Sequence, residues 1–243
     1  MPLHAQAVPI LSDNYAWLLR DEATGATALV DPADARACIA AVDAAGGRLD
    51  MILLTHHHND HTAGVDEVRA RFGCPVVGAA ADVRRLPRLD QAVREGDEVA
   101  LGDTRLRVID TPGHTVGHIS FLSDGQAPVL LCGDTLFSLG CGRLLEGTAA
   151  DMFASLRKLA ALPPATLVCC GHEYTQSNAR FALHIDGQNQ ALRTRAAAVD
   201  RLRATGQPTV PSLLGDELAE NPFLRATGAA ALGAMRAQKD QFR

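Results

Sequence analysis

Residues 56–61 read His-His-His-Asn-Asp-His and follow directly on the apolar run of residues 51–54. A buried strand that runs straight into imidazoles and a carboxylate constrains the fold, because buried polar groups need partners or a cation. Alternate positions in an extended segment point the same way, so His56 and His58 can reach one ion. Asp60 and His61 fall where the chain turns toward the next helix and can face a second ion close by. Imidazole and carboxylate donors without thiolate suit zinc, iron or manganese in a hydrolytic site. A polar loop with surface histidines is the bland alternative, and features further along the chain argue against it.

The apolar run before Asp110-Thr-Pro-Gly leads into a turn that presents His114 at a strand end. Leu130-Leu-Cys-Gly leads to Asp134, and Leu167-Val-Cys-Cys-Gly leads to His172. Each of these alone is weak, since a lone His or Asp after a strand is more often structural. Together they supply five His and two Asp, enough for two ions with one carboxylate shared. His57 should point away from the ligands, and His118 is expected to make a structural hydrogen bond. His4 and His184 carry no local signal. Asp31, at a strand end before Pro32, is either a partner to a ligand histidine or a structural loop residue.

Short apolar runs alternate with helical patterns over most of the chain. Residues 15–20 and 26–30 read as a hairpin turned at Gly25. Strands are expected at 51–54, 105–109, 119–122, 129–132 and 166–170, with helices at 34–45, 65–72 and 152–162. After His172 only helical patterns are seen, at 178–184, 190–204 and 229–242, separated by Pro208, Pro211 and Pro222. The mixture predicts sheets covered by helices, followed by a small helical domain.

An apolar fraction of 47% with 21% charged residues supports a real core. The net charge of −5 argues against a general nucleic-acid binder. Basic charge is almost all Arg, with Lys158 and Lys239 the only lysines. No signal peptide and no membrane span are expected. The six cysteines form no CxxC pair and read as reduced thiols, so a cytoplasmic home is expected.

The ligand-type residues, in their order, glycine contexts and strand placement, resemble the metallo-β-lactamase superfamily from roughly residue 1 to 175. That resemblance implies an α+β fold, an αββα sandwich with its site at one edge of the two sheets. It implies that His56, His58 and His114 bind one metal, that Asp60, His61 and His172 bind the other, and that Asp134 bridges them. Asp60 and Asp134 would then serve a catalytic centre in which two close divalent ions, zinc first and iron or manganese as alternatives, make a shared water nucleophilic. No serine or cysteine nucleophile is needed, and no Gly-x-Ser-x-Gly elbow is present.

Residues 140–147, 171–175, 221–225 and 235–242 are similar to those of the glyoxalase II (hydroxyacylglutathione hydrolase) family. The resemblance implies a catalytic domain over residues 1–172 and an all-α substrate-binding domain over 173–243. It implies hydrolysis of S-(2-hydroxyacyl)glutathione, for example S-D-lactoylglutathione, with Arg143, Tyr174, Arg236 and Lys239 gripping the glutathione half. Arg236 and Lys239 are i and i+3 on the last helix, so they can present two cations to a carboxylate. A solvated helix end is the bland reading of that pair. Arg143 stands where many relatives carry Lys, and Leu145 where a Tyr is frequent, which removes one hydroxyl contact. The expected partner is a small glutathione thioester acted on by a monomer, with no nucleic acid and no membrane. Rival readings within the superfamily are a β-lactamase, a persulfide dioxygenase with a single iron, and a tRNA-processing nuclease. A binding protein with a vestigial site is the non-enzyme alternative.

Overall fold

The computed structural model describes residues 3–242. Strands β1 (Leu3–Ile10), β2 (Asn14–Asp21) and β3 (Thr27–Val30) form an antiparallel meander. The β2–β3 turn uses Gly25 at φ +69°, a left-handed backbone that glycine adopts without Cβ strain. Helix α1 (Ala35–Ala44) follows, capped by Asp34, whose carboxylate accepts the Ala37 N–H at 3.0 Å. Then come β4 (Met51–Leu53), the single turn α2 (Asn59–Thr62), α3 (Val65–Phe72), β5 (Val76–Ala79) and β6 (Gln91–Val93). From β3 to β6 the strands are parallel, which completes a six-stranded sheet in the order β1-β2-β3-β4-β5-β6.

A second sheet begins with β7 (Glu98–Leu101), β8 (Thr104–Asp110), β9 (Ile119–Ser123) and β10 (Val129–Gly133). A two-stranded ribbon, β11 (Leu136–Phe137) and β12 (Gly140–Cys141), leads to α4 (Ala149–Ala160) and β13 (Leu167–Cys170). The remainder comprises α5 (Thr175–Ile185), α6 (Gln190–Ala204), β14 (Ser212–Leu213), α7 (Leu214–Glu220) and α8 (Ala229–Gln241). The second sheet runs β14-β13-β10-β9-β8-β7, with β10 and β13 parallel.

Several elements differ from the sequence expectation. The segment after His172 is not purely helical: β14 pairs antiparallel with β13 and extends the second sheet. Two residues between Pro211 and a helix are too few to display a strand period, so only the partner strand reveals them. Helix α7 was likewise not foreseen, because it spans only Leu214–Glu220. Also absent from the expectation are β1, β5, β6, β7, β11 and β12, most of them only two to four residues long; β1 exposes His4, Gln6 and Pro9.

One apolar cluster runs through both sheets and takes in Phe181, Phe223 and Leu232 from the helical tail. Specific polar contacts join the sheets. Trp17 Nε1 on β2 donates to Cys170 O on β13 at 2.9 Å, and buried Asp21 accepts Thr104 N–H and O–H at 3.0 and 2.7 Å. Ile119 N–H donates to Thr55 O at 2.9 Å, so the end of β4 meets the start of β9. The C-terminal ends of β3, β4, β8, β10 and β13 thereby gather at one edge.

Replacing Trp17 by Phe keeps an aromatic side chain but removes the indole N–H that donates to Cys170 O. The expected loss is about 1–3 kcal/mol of unfolding free energy. Far-UV circular dichroism in urea measures it, since Trp17 is the only tryptophan and the variant has no indole signal. An unchanged midpoint contradicts this contact as a junction of the sheets.

Candidate metal centre and binding cleft

Five strand ends supply the side chains. His56, His58, Asp60 and His61 follow β4, Asp31 follows β3, His114 follows β8, Asp134 follows β10 and His172 follows β13. The nitrogens of His56, His58 and His114 converge: His58 Nδ1 lies 3.2 Å from His56 Nε2 and 3.0 Å from His114 Nε2. A second group joins Asp60, His61 and His172, with Asp60 Oδ2 at 3.8 Å from His61 Nε2 and 3.5 Å from His172 Nε2. Asp134 touches both. Its Oδ2 is 3.4 Å from His114 Nε2 and 3.3 Å from His172 Nε2, and its Oδ1 is 3.4 Å from His61 Nε2.

Outward contacts decide which nitrogen of each ring faces in. His56 Nδ1 lies 3.0 Å from Thr55 Oγ1, and that hydroxyl donates its own proton to Asp31 Oδ2 at 2.6 Å. His56 Nδ1–H is therefore the donor, and Nε2 keeps a lone pair for the centre. His61 Nδ1 meets Asp31 Oδ2 at 3.0 Å, His114 Nδ1 meets Arg143 O at 2.9 Å and His172 Nδ1 meets Asp13 Oδ1 at 3.1 Å. Each of these acceptors fixes the same tautomer. Asp31 sits at φ +52°, a conformation Asp tolerates better than most residues, and also accepts Thr55 N–H at 2.9 Å.

Burial sharpens the electrostatics. His56, His61, His114, Asp134 and His172 are all buried. Burial works against the Asp134 carboxylate, but His61 and His172 outweigh it and hold its pKa well below the usual carboxylate range. Burial likewise depresses His61, and the carboxylates of Asp134 and Asp31 overcome this and raise it. His56 is pushed well down by burial and by the neighbouring His61 and His118, so its ring stays neutral and its lone pair stays available.

Two atoms of the centre, His61 Nε2 and Asp134 Oδ1, are buried without a hydrogen-bond partner. Buried polar atoms are rarely left so. Neutral imidazole lone pairs aimed at one another about His58 Nδ1 pose the same problem, and a cation between them resolves it. The residues fit divalent ions on these grounds. Gly171 makes room: a Cβ there would stand 2.5 Å from Asp134 Oδ1 and 2.7 Å from His61 Cε1.

The other histidines lie outside the centre. His118 Nε2 accepts Asp134 N–H at 3.1 Å, and its Nδ1 faces the hydroxyls of Thr111 and Thr135 at 3.0 and 3.2 Å. Burial and the adjacent His114 keep it neutral, as an acceptor must be. His57 turns away to Asp82 at 3.2 Å and Glu146 at 3.4 Å.

A cleft of about 650 Å³ opens over the centre. Arg143, Tyr174, Arg236 and Lys239 all line it, as do Leu145, Arg180 and Asp240. The Tyr174 ring stacks on His172 at 4.5 Å and 8°. Arg236 is buried; its guanidinium donates to Cys141 O at 2.7 Å and pairs with Asp240 at 3.0 Å. Lys239 Nζ donates to Ser177 O at 3.1 Å. Leu145 is exposed beside them. Sequence reasoning did not find Asp13, Asn14 or Arg180. Asn14 Nδ2 donates to Asp60 O and to Asp60 Oδ2, both at 3.1 Å. No motif marks Asp13 or Asn14, because their roles come from pairing across more than forty positions of sequence.

The family model of the metallo-beta-lactamase superfamily matches residues 11–172, and that of the hydroxyacylglutathione hydrolase C-terminus matches residues 173–242. The hydroxyacylglutathione hydrolase of Acidiphilium cryptum is 60% identical over 97% of this chain and 95% of its own length. That of Rhodospirillum rubrum is 56% identical over 93% of this chain and 88% of its own. Among solved structures, ETHE1 from Myxococcus xanthus superposes with a TM-score of 0.71 at 25% identity, covering 98% of this chain and 90% of that one. The chain belongs to the metallo-beta-lactamase superfamily and, within it, to the hydroxyacylglutathione hydrolases.

Proposed function

We propose that this enzyme hydrolyses S-(2-hydroxyacyl)glutathione, such as S-D-lactoylglutathione, to glutathione and a 2-hydroxy acid. The observation that carries the reading is Asp134, whose two carboxylate oxygens reach into both donor groups at 3.3–3.4 Å. His56, His58 and His114 would hold one divalent ion, Asp60, His61 and His172 the other, with Asp134 common to both. The donor chemistry favours zinc, with iron or manganese as alternatives. Two such ions supply an ionised water at neutral pH and a Lewis acid for the thioester carbonyl.

The protein does the rest. Asp31, Asp13, Thr55 and the Arg143 carbonyl keep the imidazole lone pairs turned inward, and His118 holds the Asp134 backbone. The glutathione thiolate, with a thiol pKa of about 8.5, leaves without a strong general acid. No protein nucleophile competes: Cys141, in the cleft wall, has its thiol pushed up by burial to about 12. Arg143 and Lys239 offer cations to the carboxylates of glutathione, Tyr174 offers its hydroxyl, and Arg236 anchors the wall on which they stand. In this assignment residues 1–172 carry the chemistry and residues 173–243 carry most of the grip on substrate. The setting we propose is a cytoplasmic monomer acting on a small molecule, without nucleic acid or membrane; among the described residues no helix is long and apolar enough to cross a bilayer.

A thioesterase assay on metal-replete protein, with several acyl-glutathiones and a thioester lacking glutathione, tests the reading. Rapid cleavage of S-D-lactoylglutathione and poor cleavage of the control are expected; intact lactoylglutathione overturns it. In the same assay Asp134→Asn loses at least about a hundredfold in kcat, and unchanged turnover moves the chemistry elsewhere. Lys239→Ala is expected to raise KM about tenfold with kcat within about twofold, the pattern of lost uniform binding. A matching fall in kcat instead would place Lys239 at the reacting atoms.

A further inference from the structure

The ribbon β11–β12 lies between two parts of the site. Asp134 precedes it and Arg143 follows it, and Arg143 O is the acceptor that orients His114. Its Phe137 ring packs edge-on against His172 at 5.9 Å and Tyr174 at 5.3 Å. A two-stranded ribbon alone is marginal in water, so its position has to come from its surroundings.

Those surroundings are side chains of the helical tail. Five consecutive residues, 137–141, each give a backbone group to one of them. Asn221 Nδ2 donates to Phe137 O at 3.1 Å and Gly140 O at 3.0 Å, and Asn178 Nδ2 donates to Ser138 O at 3.0 Å. Leu139 N–H donates to Glu217 Oε2 at 2.8 Å, and Arg236 donates to Cys141 O at 2.7 Å. Leu139 has φ +58°, costly for a branched side chain, and is fully buried in a small cluster with Ala179, Ala182, Leu192 and Ala196. Glu217 is the hub: 0% exposed, it pairs with Arg195 at 2.5 Å and also accepts Asn221 Nδ2 at 3.1 Å. Arg195 in turn donates to Ser138 Oγ at 2.8 Å.

We propose that Glu217 is a positioning residue, through which the tail holds the ribbon and thereby sets Asp134 and His114 for metal binding. The inference rests on the ligand set proposed above, but it concerns metal retention and not the substrate. A buried charge network with every partner satisfied fixes one arrangement of the strained turn, which loose apolar packing would not. The tail is therefore part of the metal centre's support as well as of the cleft wall.

The test compares wild type, Glu217→Gln, the milder Ser138→Ala and the control Arg225→Ala, which removes a tail ion pair with Asp186 away from the ribbon. Each metal-loaded protein is titrated with a chelator, and its kcat, KM and Tm are measured. Glu217→Gln is expected to release metal at about tenfold lower chelator, as loss of an outer support does, with kcat reduced. Ser138→Ala should shift in the same direction by less, and Arg225→Ala should keep wild-type metal retention and kcat. If Glu217→Gln does not fold, the Ser138→Ala shift decides. Wild-type metal retention in the folded ribbon variants, with only Tm lowered, overturns the proposal, and so does an equal loss in Arg225→Ala. Failure of wild type to bind metal at all would instead sink the ligand assignment.

Discussion

Nitrogen lone pairs facing one another need a proton or a cation between them. Around His58 Nδ1 two further ring nitrogens stand at 3.0 and 3.2 Å, while His61 Nε2 and Asp134 Oδ1 are buried with no partner. Cations at the centre would satisfy these atoms together, and the surrounding fold holds the rings in place. Asp31, Thr55, Asp13 and Arg143 O take the outer nitrogens of His61, His56, His172 and His114, so none of these four rings can flip its lone pair outward without leaving that partner empty.

The two sheets make this arrangement possible because strand ends are where backbone direction is fixed and side chains are free to project. Strands from both sheets terminate at the same edge, and the inter-sheet contacts at Trp17, Asp21 and Thr55 hold the edges in register. The second sheet is completed only by β14, contributed from the otherwise helical tail. The donor groups and the wall of the cleft are thus joined through shared structure: the ribbon that carries Cys141 toward Arg143 is gripped by Glu217, Asn221, Asn178 and Arg236.

The donor groups were legible in the chain because each sits directly after an apolar run and a turn glycine, or within the compact 56–61 segment. The expected hairpin and the main helices were legible for a similar reason, since Gly25, Asp34 and the 3.6-residue period act locally. What was not legible depends on distant partners. Asp13 reaches His172 across 159 positions, and Asn14 reaches Asp60 across 46. Neither has any local pattern. Strand β14 is too short to show a period, and Glu217 reads as one more charge on a short helix until its neighbours Leu139 and Arg195 surround it. The surroundings of Arg236, expected with Lys239 to offer a cation to a carboxylate, also needed the structure: its guanidinium is buried against Cys141 O and Asp240, a setting that spacing on a helix cannot convey.

Metal stoichiometry tests the central claim most directly. The purified chain, loaded with zinc and freed of loosely bound ion, should hold about two ions per chain by elemental analysis. His172→Ala, which removes a donor from one group only, should retain about one. A wild-type chain that saturates at one ion, or a His172→Ala variant that still holds two, would contradict a paired centre shared through Asp134.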